Sequence, residues 1–175
     1  MSKAETEIKN LWERHLETEF AMKSPEEALA TMTADPRVTI VPTLMGGRGR
    51  EEVGRFYGHH FLNQLPPDLE VMPVSRTIGE DRLVDELVIR FTHTVQMDWV
   101  LPGIAPTGKR IEFAMVAVIH VKDGKIAAEN LYWDNATILR QVGLLPDPDL
   151  PVLGAESARQ MLDPSAPHNQ LLRRA

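Results

Sequence analysis

The chain of 175 residues contains no cysteine, which excludes disulfide bonds, thiolate metal sites and a cysteine nucleophile. It also lacks a long hydrophobic run. The longest uninterrupted apolar stretch, residues 113–119, is far shorter than the roughly 20 residues that a membrane-spanning helix needs. The first ten residues have no apolar segment of the kind found in signal peptides. We therefore expect a cytoplasmic protein without a membrane partner.

Concentrated positive charge is also missing. The net charge is −6, and no run of Lys or Arg is longer than two residues, so nucleic acid is not an expected partner. The six histidines form neither a His-x-His nor a HExxH motif, and we expect no metal site. A G-x-S-x-G motif is absent, which argues against a serine hydrolase triad. A small-molecule substrate, bound without a cofactor, remains the expected partner.

The patterns that are present predict an α+β domain. Apolar residues at helical spacing indicate helices over residues 5–22 and 50–65, and Ser24-Pro25 begins a further short helix. Residues 37–44 form a β-rich run, and the glycine-rich residues 46–49 are typical of a turn. Longer strands are predicted at 69–78, 82–96 and 111–134. Because helices gather early and strands late, the sheet must curl around the helices to bury both apolar surfaces.

The strongest local signal is a hairpin that turns at Asp123-Gly124. A two-residue loop pairs Lys122 with Lys125 and therefore places Asp134 opposite Phe113. This register puts an acid at the rim of one apolar face, formed by Phe113, Met115, Ala117, Ile119, Ala128, Asn130, Tyr132 and Asp134. Asp134 also precedes a predicted helix at 137–142, as a helix N-cap does. A catalytic acid and a helix cap are both open interpretations of this residue.

Three strings resemble those of a known family. They are Pro106-Thr107-Gly108-Lys109-Arg110 before the penultimate strand, Lys122-Asp123-Gly124-Lys125-Ile126 at the turn, and Glu129 followed by Trp133-Asp134. Over residues 5–145 the chain resembles the SnoaL-like polyketide cyclase branch of the nuclear-transport-factor-two-like superfamily. The resemblance implies a curved antiparallel sheet that forms a cone, an α+β barrel, around N-terminal helices. It also implies acid-base work by an acid at the end of the last strand, a role that falls on Asp134.

His93 is the second candidate for catalysis, because histidine exchanges protons near neutral pH and this one shares a strand face with Ile89 and Phe91. A structural core histidine is the alternative. The predicted substrate-binding residues are aromatic, apolar or polar side chains suited to a pocket wall: Tyr132, Tyr57, His60, Trp99, Met115, Trp12, Phe113 and Asn130. Arg90 is expected to form an ion pair with Glu129 across the sheet.

Our first functional hypothesis is a cofactor-independent acid-base enzyme, a cyclase, isomerase or lyase, acting on a small apolar carbonyl compound. Asp134 or His93 removes a proton next to the carbonyl, and the other of the two, or Tyr132, supports the enolate oxygen. The alternatives are a binding domain without chemistry and a dimerisation domain, since the superfamily contains all three. A homodimer would cover an apolar face formed by Ala114, Val116, Val118, Leu131 and Trp133. Residues 1–145 are expected to form the cone-fold domain, and residues 146–175 a proline-rich tail of that domain or of a dimer.

Overall fold

The computed structural model describes residues 2–174 of the chain. Its helices are α1 (Lys3–Leu16), α2 (Pro25–Ala30), α3 (Gly49–Phe56), α4 (Asn135–Val142) and α5 (Glu156–Leu162). Its strands are β1 (Met32–Ile40), β2 (Met45–Arg48), β3 (Glu70–Ile78), β4 (Arg82–Thr92), β5 (Arg110–Lys122) and β6 (Lys125–Trp133). Five-residue π-helical turns continue α1 (Glu17–Ala21) and α3 (Tyr57–Phe61), and short 3₁₀ turns occupy Leu62–Gln64 and Gln170–Arg174. None of the described helices is long and apolar enough to cross a membrane.

Side chains at the helix ends explain where the helices begin and stop. Ser2 and Glu5 form a reciprocal capping box at the start of α1. Ser24 accepts a hydrogen bond from the backbone N–H of Glu27, and Pro25 follows it as the first residue of α2. Gly143 ends α4 with a left-handed backbone, φ 84°. These local signals are present in the sequence and confirm the predicted α2 start and α4 stop.

The six strands form one curved sheet in the order β2-β1-β6-β5-β4-β3. Neighbouring strands are antiparallel except β1 and β6, which are parallel. Strands β2 and β3 are the free edges, so the cone is open and not a closed barrel. The α+β class is confirmed, with helices before most of the strands.

The prediction of a turn over residues 46–49 was wrong, because this segment contributes strand β2. Residues 45–48 pair with residues 37–40 of β1. Gly46 has φ 131°, and a Cβ atom at this position would collide with the carbonyl oxygen of Val38. The glycine therefore permits a close approach of two strands. The sequence pattern of a turn and that of a glycine-bearing edge strand are alike here.

The predicted register of the β5–β6 hairpin holds only near its turn. Lys122 pairs with Lys125, but a bulge between His120 and Val121 shifts all later pairs by one residue. Met115 therefore lies opposite Trp133, and Tyr132 lies opposite Val116. Because a one-residue shift exchanges the two faces of a strand, the predicted apolar face with Asn130, Tyr132 and Asp134 was wrong.

The bulge turns Glu129, Leu131 and Trp133 toward the concave face of the sheet, where they lie beside the core. Leu131 and Trp133 therefore do not belong to the outer apolar face proposed for a dimer, and that part of the prediction was wrong. Ala114, Val116 and Val118 remain partly exposed on the outer face. Helix α5 packs against β5, and Arg159 on α5 binds Glu112 on β5 at 2.9 Å. The tail thus covers part of the sheet, and its role in a dimer stays a prediction.

Candidate active site

A cavity of about 460 Å³ lies between the concave face of the sheet and helices α1 and α3. Most of its wall is apolar, formed by residues such as Leu16, Val38, Ile40, Leu87, Ile89, Met115 and Leu131. The exposed residues among its lining are Glu13, Glu17 and Ala21 on one side and Val71 on the other. The mouth therefore lies between the end of α1 and strand β3. A cavity of this size and polarity is typical of a small-molecule site.

Both π-helical turns face this cavity. The turn that continues α1 supplies Glu19 and Phe20 to the wall, and the turn that continues α3 supplies Tyr57 and Phe61. A π-helical turn inserts one extra residue into a helix and occurs often at functional sites. Here the two turns meet at one cavity, which makes it the candidate functional region of the fold.

Four polar side chains meet at the cavity wall. His15 Nε2 lies 2.9 Å from Glu129 Oε1 and 3.2 Å from Glu19 Oε1. The Tyr57 hydroxyl donates a hydrogen bond of 3.2 Å to Glu129 Oε1 and lies 3.3 Å from His15 Nε2. Glu19, Glu129 and Tyr57 line the cavity, whereas His15 contacts all three without being part of the lining. We call His15, Glu19, Tyr57 and Glu129 the cavity cluster.

His15 is held as a cation. Thr31 Oγ1 donates its hydrogen to the carbonyl of Ala28, so it accepts the hydrogen bond of 2.6 Å from His15 Nδ1–H. The other ring nitrogen faces two carboxylates, to which an N–H also donates. Burial by itself lowers the pKa of His15, but Glu129 and Glu19 raise it to about 10. The imidazolium therefore persists at neutral pH.

Two other cluster members, Glu19 and Tyr57, also have raised pKa values. Burial raises the pKa of Glu19, and His15 opposes this effect. Burial also raises the pKa of the Tyr57 phenol, and the nearby Glu129 and Glu19 carboxylates raise it further. Tyr57 is therefore a neutral hydrogen-bond donor. The cluster thus combines a proton acceptor, a neutral donor and a fixed cation within hydrogen-bonding distance.

A second polar group fixes the wall near the mouth. Asp85 is 2% exposed and accepts two hydrogen bonds from Arg76, of 2.6 and 2.7 Å. It also accepts a bond of 2.8 Å from the indole Nε1–H of Trp12. These three hydrogen bonds hold the Trp12 ring and the Arg76 guanidinium against the Asp85 carboxylate. We therefore assign Asp85 a structural role in the cavity wall.

The sequence predicted two catalytic residues, and the structure places both outside the cavity lining. Asp134 is exposed and accepts hydrogen bonds from Ala136 N at 2.9 Å and Thr137 Oγ1 at 2.7 Å, so it caps α4. It faces a groove on the outer side of the sheet with Val116 and Tyr132. His93 is fully buried near Thr107, and burial lowers its pKa. The two are not brought together, and their catalytic roles stay a prediction.

Four of the eight predicted substrate-binding residues line the cavity: Trp12, Tyr57, Trp99 and Met115. The other four lie elsewhere. Phe113 is buried against Trp133, His60 binds Asp98 at 2.9 Å near the surface, Asn130 lies opposite Val118, and Tyr132 is 45% exposed. The bulge in the hairpin accounts for Asn130 and Tyr132, because it turns them to the outer face.

The expected ion pair between Arg90 and Glu129 was also wrong. Arg90 contacts Glu70 and Glu112 on the outer face, whereas Glu129 points inward to His15. Sequence reasoning missed His15, Glu19 and Glu129 as site residues. His15 lies near the end of α1, and Glu19 lies four residues later in the π-helical turn that continues it. An acid at that spacing from a core histidine is a usable signal.

The atoms of the cavity cluster are also close enough to share a cation. His15, Glu19 and Glu129 each offer a ligand atom, and these atoms lie within 4.8 Å of one another. In this structure His15 Nε2 and the two carboxylates are joined by hydrogen bonds. The imidazolium provides the positive charge that the carboxylates need.

Comparison with known proteins supports the fold. The sequence model of the SnoaL-like polyketide cyclases matches residues 14–142. A structure from Jannaschia sp. CCS1, named for SnoaL-like polyketide cyclases, is 18% identical in sequence and has a TM-score of 0.64. The match covers 81% of the present chain and 95% of the Jannaschia chain. An NTF2-like protein of unknown function from Burkholderia pseudomallei K96243 is 20% identical, with 81% and 98% covered and a TM-score of 0.59. A structure from Xanthomonas campestris pv. campestris, named for polyketide cyclases, is 19% identical, with 80% and 99% covered and a TM-score of 0.58. No curated protein matches the chain.

Proposed function

Because the chain belongs to the SnoaL-like polyketide cyclase family, we propose that it is an acid-base enzyme acting on a small, largely apolar carbonyl compound in the cavity. The observation that carries this proposal is the cavity cluster. Two carboxylates and a phenol interrupt a wall that is otherwise mostly apolar, and an imidazolium contacts all three. Such a concentration of buried titratable groups, three of which (His15, Glu19 and Tyr57) have raised pKa values, is typical of catalytic sites.

In the proposed reaction, Glu129 is the base. Its carboxylate takes the proton from the carbon next to the substrate carbonyl, so that a C–H bond breaks and an O–H bond forms. The electron pair of the broken bond forms a carbon–carbon double bond, and the π electrons of the carbonyl move to its oxygen, which gives an enolate. Glu129 is a suitable acceptor because it lines the cavity and is held in place by His15 and Tyr57.

Tyr57 and His15 support the negative charge that moves through the site. Before the reaction the Tyr57 hydroxyl donates to Glu129. Once Glu129 is protonated, its need for that donor falls, and the hydroxyl can turn to the enolate oxygen. His15 is a positioning residue, since its fixed charge stabilises whichever cluster member is anionic. Aldol cyclisation, isomerisation and dehydration all share this first step.

A binding domain without chemistry is the second candidate. The hydrogen bonds within the cavity cluster favour it to the extent that each of the four groups already has a partner in the cluster. In that case the cavity would hold the same class of ligand and release it unchanged. The cytoplasmic location and the homodimer expected from the sequence both stay predictions.

The test is the exchange of carbon-bound hydrogen for deuterium in an apolar ketone. We would incubate 1-tetralone with the protein in D₂O and follow the loss of the C2 proton signal by NMR. We expect exchange well above the buffer rate, and a fall on the order of 1,000-fold in Glu129→Gln, since general-base removal has effects of this size. Glu51→Gln, at a highly exposed position on α3, is the matched control and should exchange like the natural protein.

The two candidate functions separate in the same experiment. Exchange at the buffer rate, together with saturable quenching of tryptophan fluorescence by the ketone, would contradict the enzyme hypothesis and favour the binding domain. Trp12 and Trp99 line the cavity and report on binding directly. An exchange rate in Glu129→Gln equal to that of the natural protein would remove Glu129 from the proposed role.

A further inference from the structure

The charged residues that line the cavity all have the same sign. Within the described part of the chain they are five acids, Glu13, Glu17, Glu19, Asp85 and Glu129, and the lining includes no lysine or arginine. The cations that contact these acids are Lys9, which binds Glu13, Arg76, which binds Asp85 and Glu13, and His15, which binds Glu19 and Glu129. Three cations therefore face five acids, and acidic groups predominate around the cavity.

The acid at the mouth without a charged partner is Glu17. Its neighbour one turn earlier, Glu13, binds Lys9 at 2.7 Å and Arg76 at 3.4 Å. No ion pair or side-chain hydrogen bond joins Glu17 to another residue in the part of the chain that the structure describes. Glu17 is exposed and belongs to the cavity lining, so its carboxylate lies where a bound ligand would reach solvent.

Aromatic rings surround the space behind this mouth: Trp12, Phe20, Phe56, Tyr57, Phe61 and Trp99. The faces of such rings attract organic cations, most strongly when water is excluded. A narrow space with walls of low polarity and one sign of charge also concentrates ligands of the opposite charge. The aromatic lining and the acidic residues thus favour the same kind of ligand.

Trp99 adds an independent requirement. Its side chain is part of the cavity wall and only 4% exposed, and its indole Nε1 has no hydrogen-bond partner among the described residues. A buried donor without an acceptor is unfavourable. A ligand oxygen atom within hydrogen-bonding distance of Nε1 would remove this deficit. The unpaired indole therefore favours a ligand that has one oxygen acceptor and an otherwise largely apolar surface.

We propose that the cavity selects an apolar organic cation, a protonated amine or quaternary ammonium compound with an oxygen acceptor, whose charged group lies at the mouth beside Glu17. The proposal deepens the proposed function, since it names the substrate class of the same site. The apolar body occupies the aromatic region and the cavity cluster reaches the carbonyl. Free carboxylates and phosphates are rejected, because the five acids repel them and no lining cation receives them.

A matched ligand series tests the selection by charge. We would measure the dissociation constants of 4-phenylbutylamine, 4-phenylbutan-1-ol and 4-phenylbutanoate by isothermal titration calorimetry. These probes share one skeleton and differ in the charge of the end group. We expect the amine to bind about tenfold more tightly than the alcohol, because the cavity concentrates cations, and the carboxylate to bind more weakly than both. Equal or tighter binding of the carboxylate would overturn the proposal.

Glu17→Gln locates the charged group. It should weaken the amine about two- to fivefold, the range of an exposed ion pair, and leave the alcohol unchanged. Unchanged binding of the alcohol also shows that the variant is folded. Glu51→Gln should leave the binding of both probes unchanged. If Glu17→Gln leaves the amine unaffected, the placement beside Glu17 is wrong.

The outcome is distinct from that of the proposed function. Glu17 is not part of the cavity cluster, and binding of these probes involves no proton transfer from carbon. Ketone exchange without a preference for the amine would refute the charge selection and leave the acid-base enzyme standing. A preference for the amine without ketone exchange would refute the acid-base enzyme and leave the charge selection standing.

Discussion

Strand β6 brings two carboxylates into very different surroundings within five residues. Glu129 is 3% exposed, lies in the cavity wall and contacts an imidazolium and a phenol. Asp134 lies just beyond the strand, is exposed, and uses both oxygens to cap α4. The first is surrounded by groups that respond to its protonation, and the second by groups that only need an acceptor. The surroundings of an acid, more than its position at the end of a strand, therefore decide whether it is suited to proton transfer.

Substitutions of Tyr57, beside Glu129, and of Tyr132, beside Asp134, are expected to differ strongly in their effect on ketone exchange. Tyr57→Phe removes the donor that serves Glu129 and the enolate, and should lower ketone exchange on the order of 100-fold. Tyr132→Phe alters the exposed outer face beside Asp134 and should leave exchange unchanged. Deuterium exchange of 1-tetralone measures both. A loss in Tyr132→Phe as large as that in Tyr57→Phe would move the site to the strand end.

The next effect is the pH dependence of stability. His15 and Glu19 both have raised pKa values, so each binds protons more tightly in the folded protein. The contribution of His15 is therefore present in full below pH 6.5 and is lost as the pH rises toward 10. That of Glu19 is present in full below pH 4.5, its ordinary pKa, and is lost as the pH rises above that value. The free energy of unfolding, from urea titrations between pH 7 and 9, should fall in the natural protein and vary less in His15→Gln. A flat profile in the natural protein would contradict the pKa of about 10.

His93 provides the opposite sign within the same fold. Burial lowers its pKa, so it stays neutral in the folded protein while the unfolded chain takes up a proton. Its contribution is lost as the pH falls below about 6.5, the ordinary value for histidine. His93→Gln should therefore flatten the unfolding free energy between pH 5 and 7 and leave the alkaline limb as it was. A change of the alkaline limb in this variant would show that the two histidines are coupled.

The smallest effect is expected at the helix cap. Asp134→Ala should lower the free energy of unfolding by about 1 kcal/mol, and Asp134→Asn by much less, because asparagine also caps helices well. Neither substitution should change ketone exchange. Urea denaturation and the exchange assay check the two halves of this prediction separately. A loss of exchange in the asparagine variant with full stability would restore the catalytic interpretation of Asp134.

Much of the fold could be predicted because its signals are local. Ser24 and Gly143 mark helix ends by their own side chain or backbone, and Asp123-Gly124 marks the hairpin turn. Asp134 was recognised as a possible cap for the same reason. The family resemblance then supplied the cone, which the sequence model and the structural comparisons support.

The candidate site could not be predicted in the same way, because it depends on two irregularities. A bulge after His120 reverses the faces of β6 and turns Glu129 inward. The π-helical turns that hold Glu19 and Tyr57 at the cavity have no composition that distinguishes them from ordinary helix. Each irregularity is decided by packing against distant strands, and neither leaves a local signal in the order of residues.

We propose that proton transfer takes place in the cavity cluster. The most direct test compares Glu129→Gln with Asp134→Asn. Each variant converts one carboxylate into an amide of nearly the same size, and the two positions are five residues apart. Exchange of the C2 protons of 1-tetralone in D₂O should be lost in Glu129→Gln and kept in Asp134→Asn. The reverse result, loss in Asp134→Asn with exchange retained in Glu129→Gln, would contradict this account.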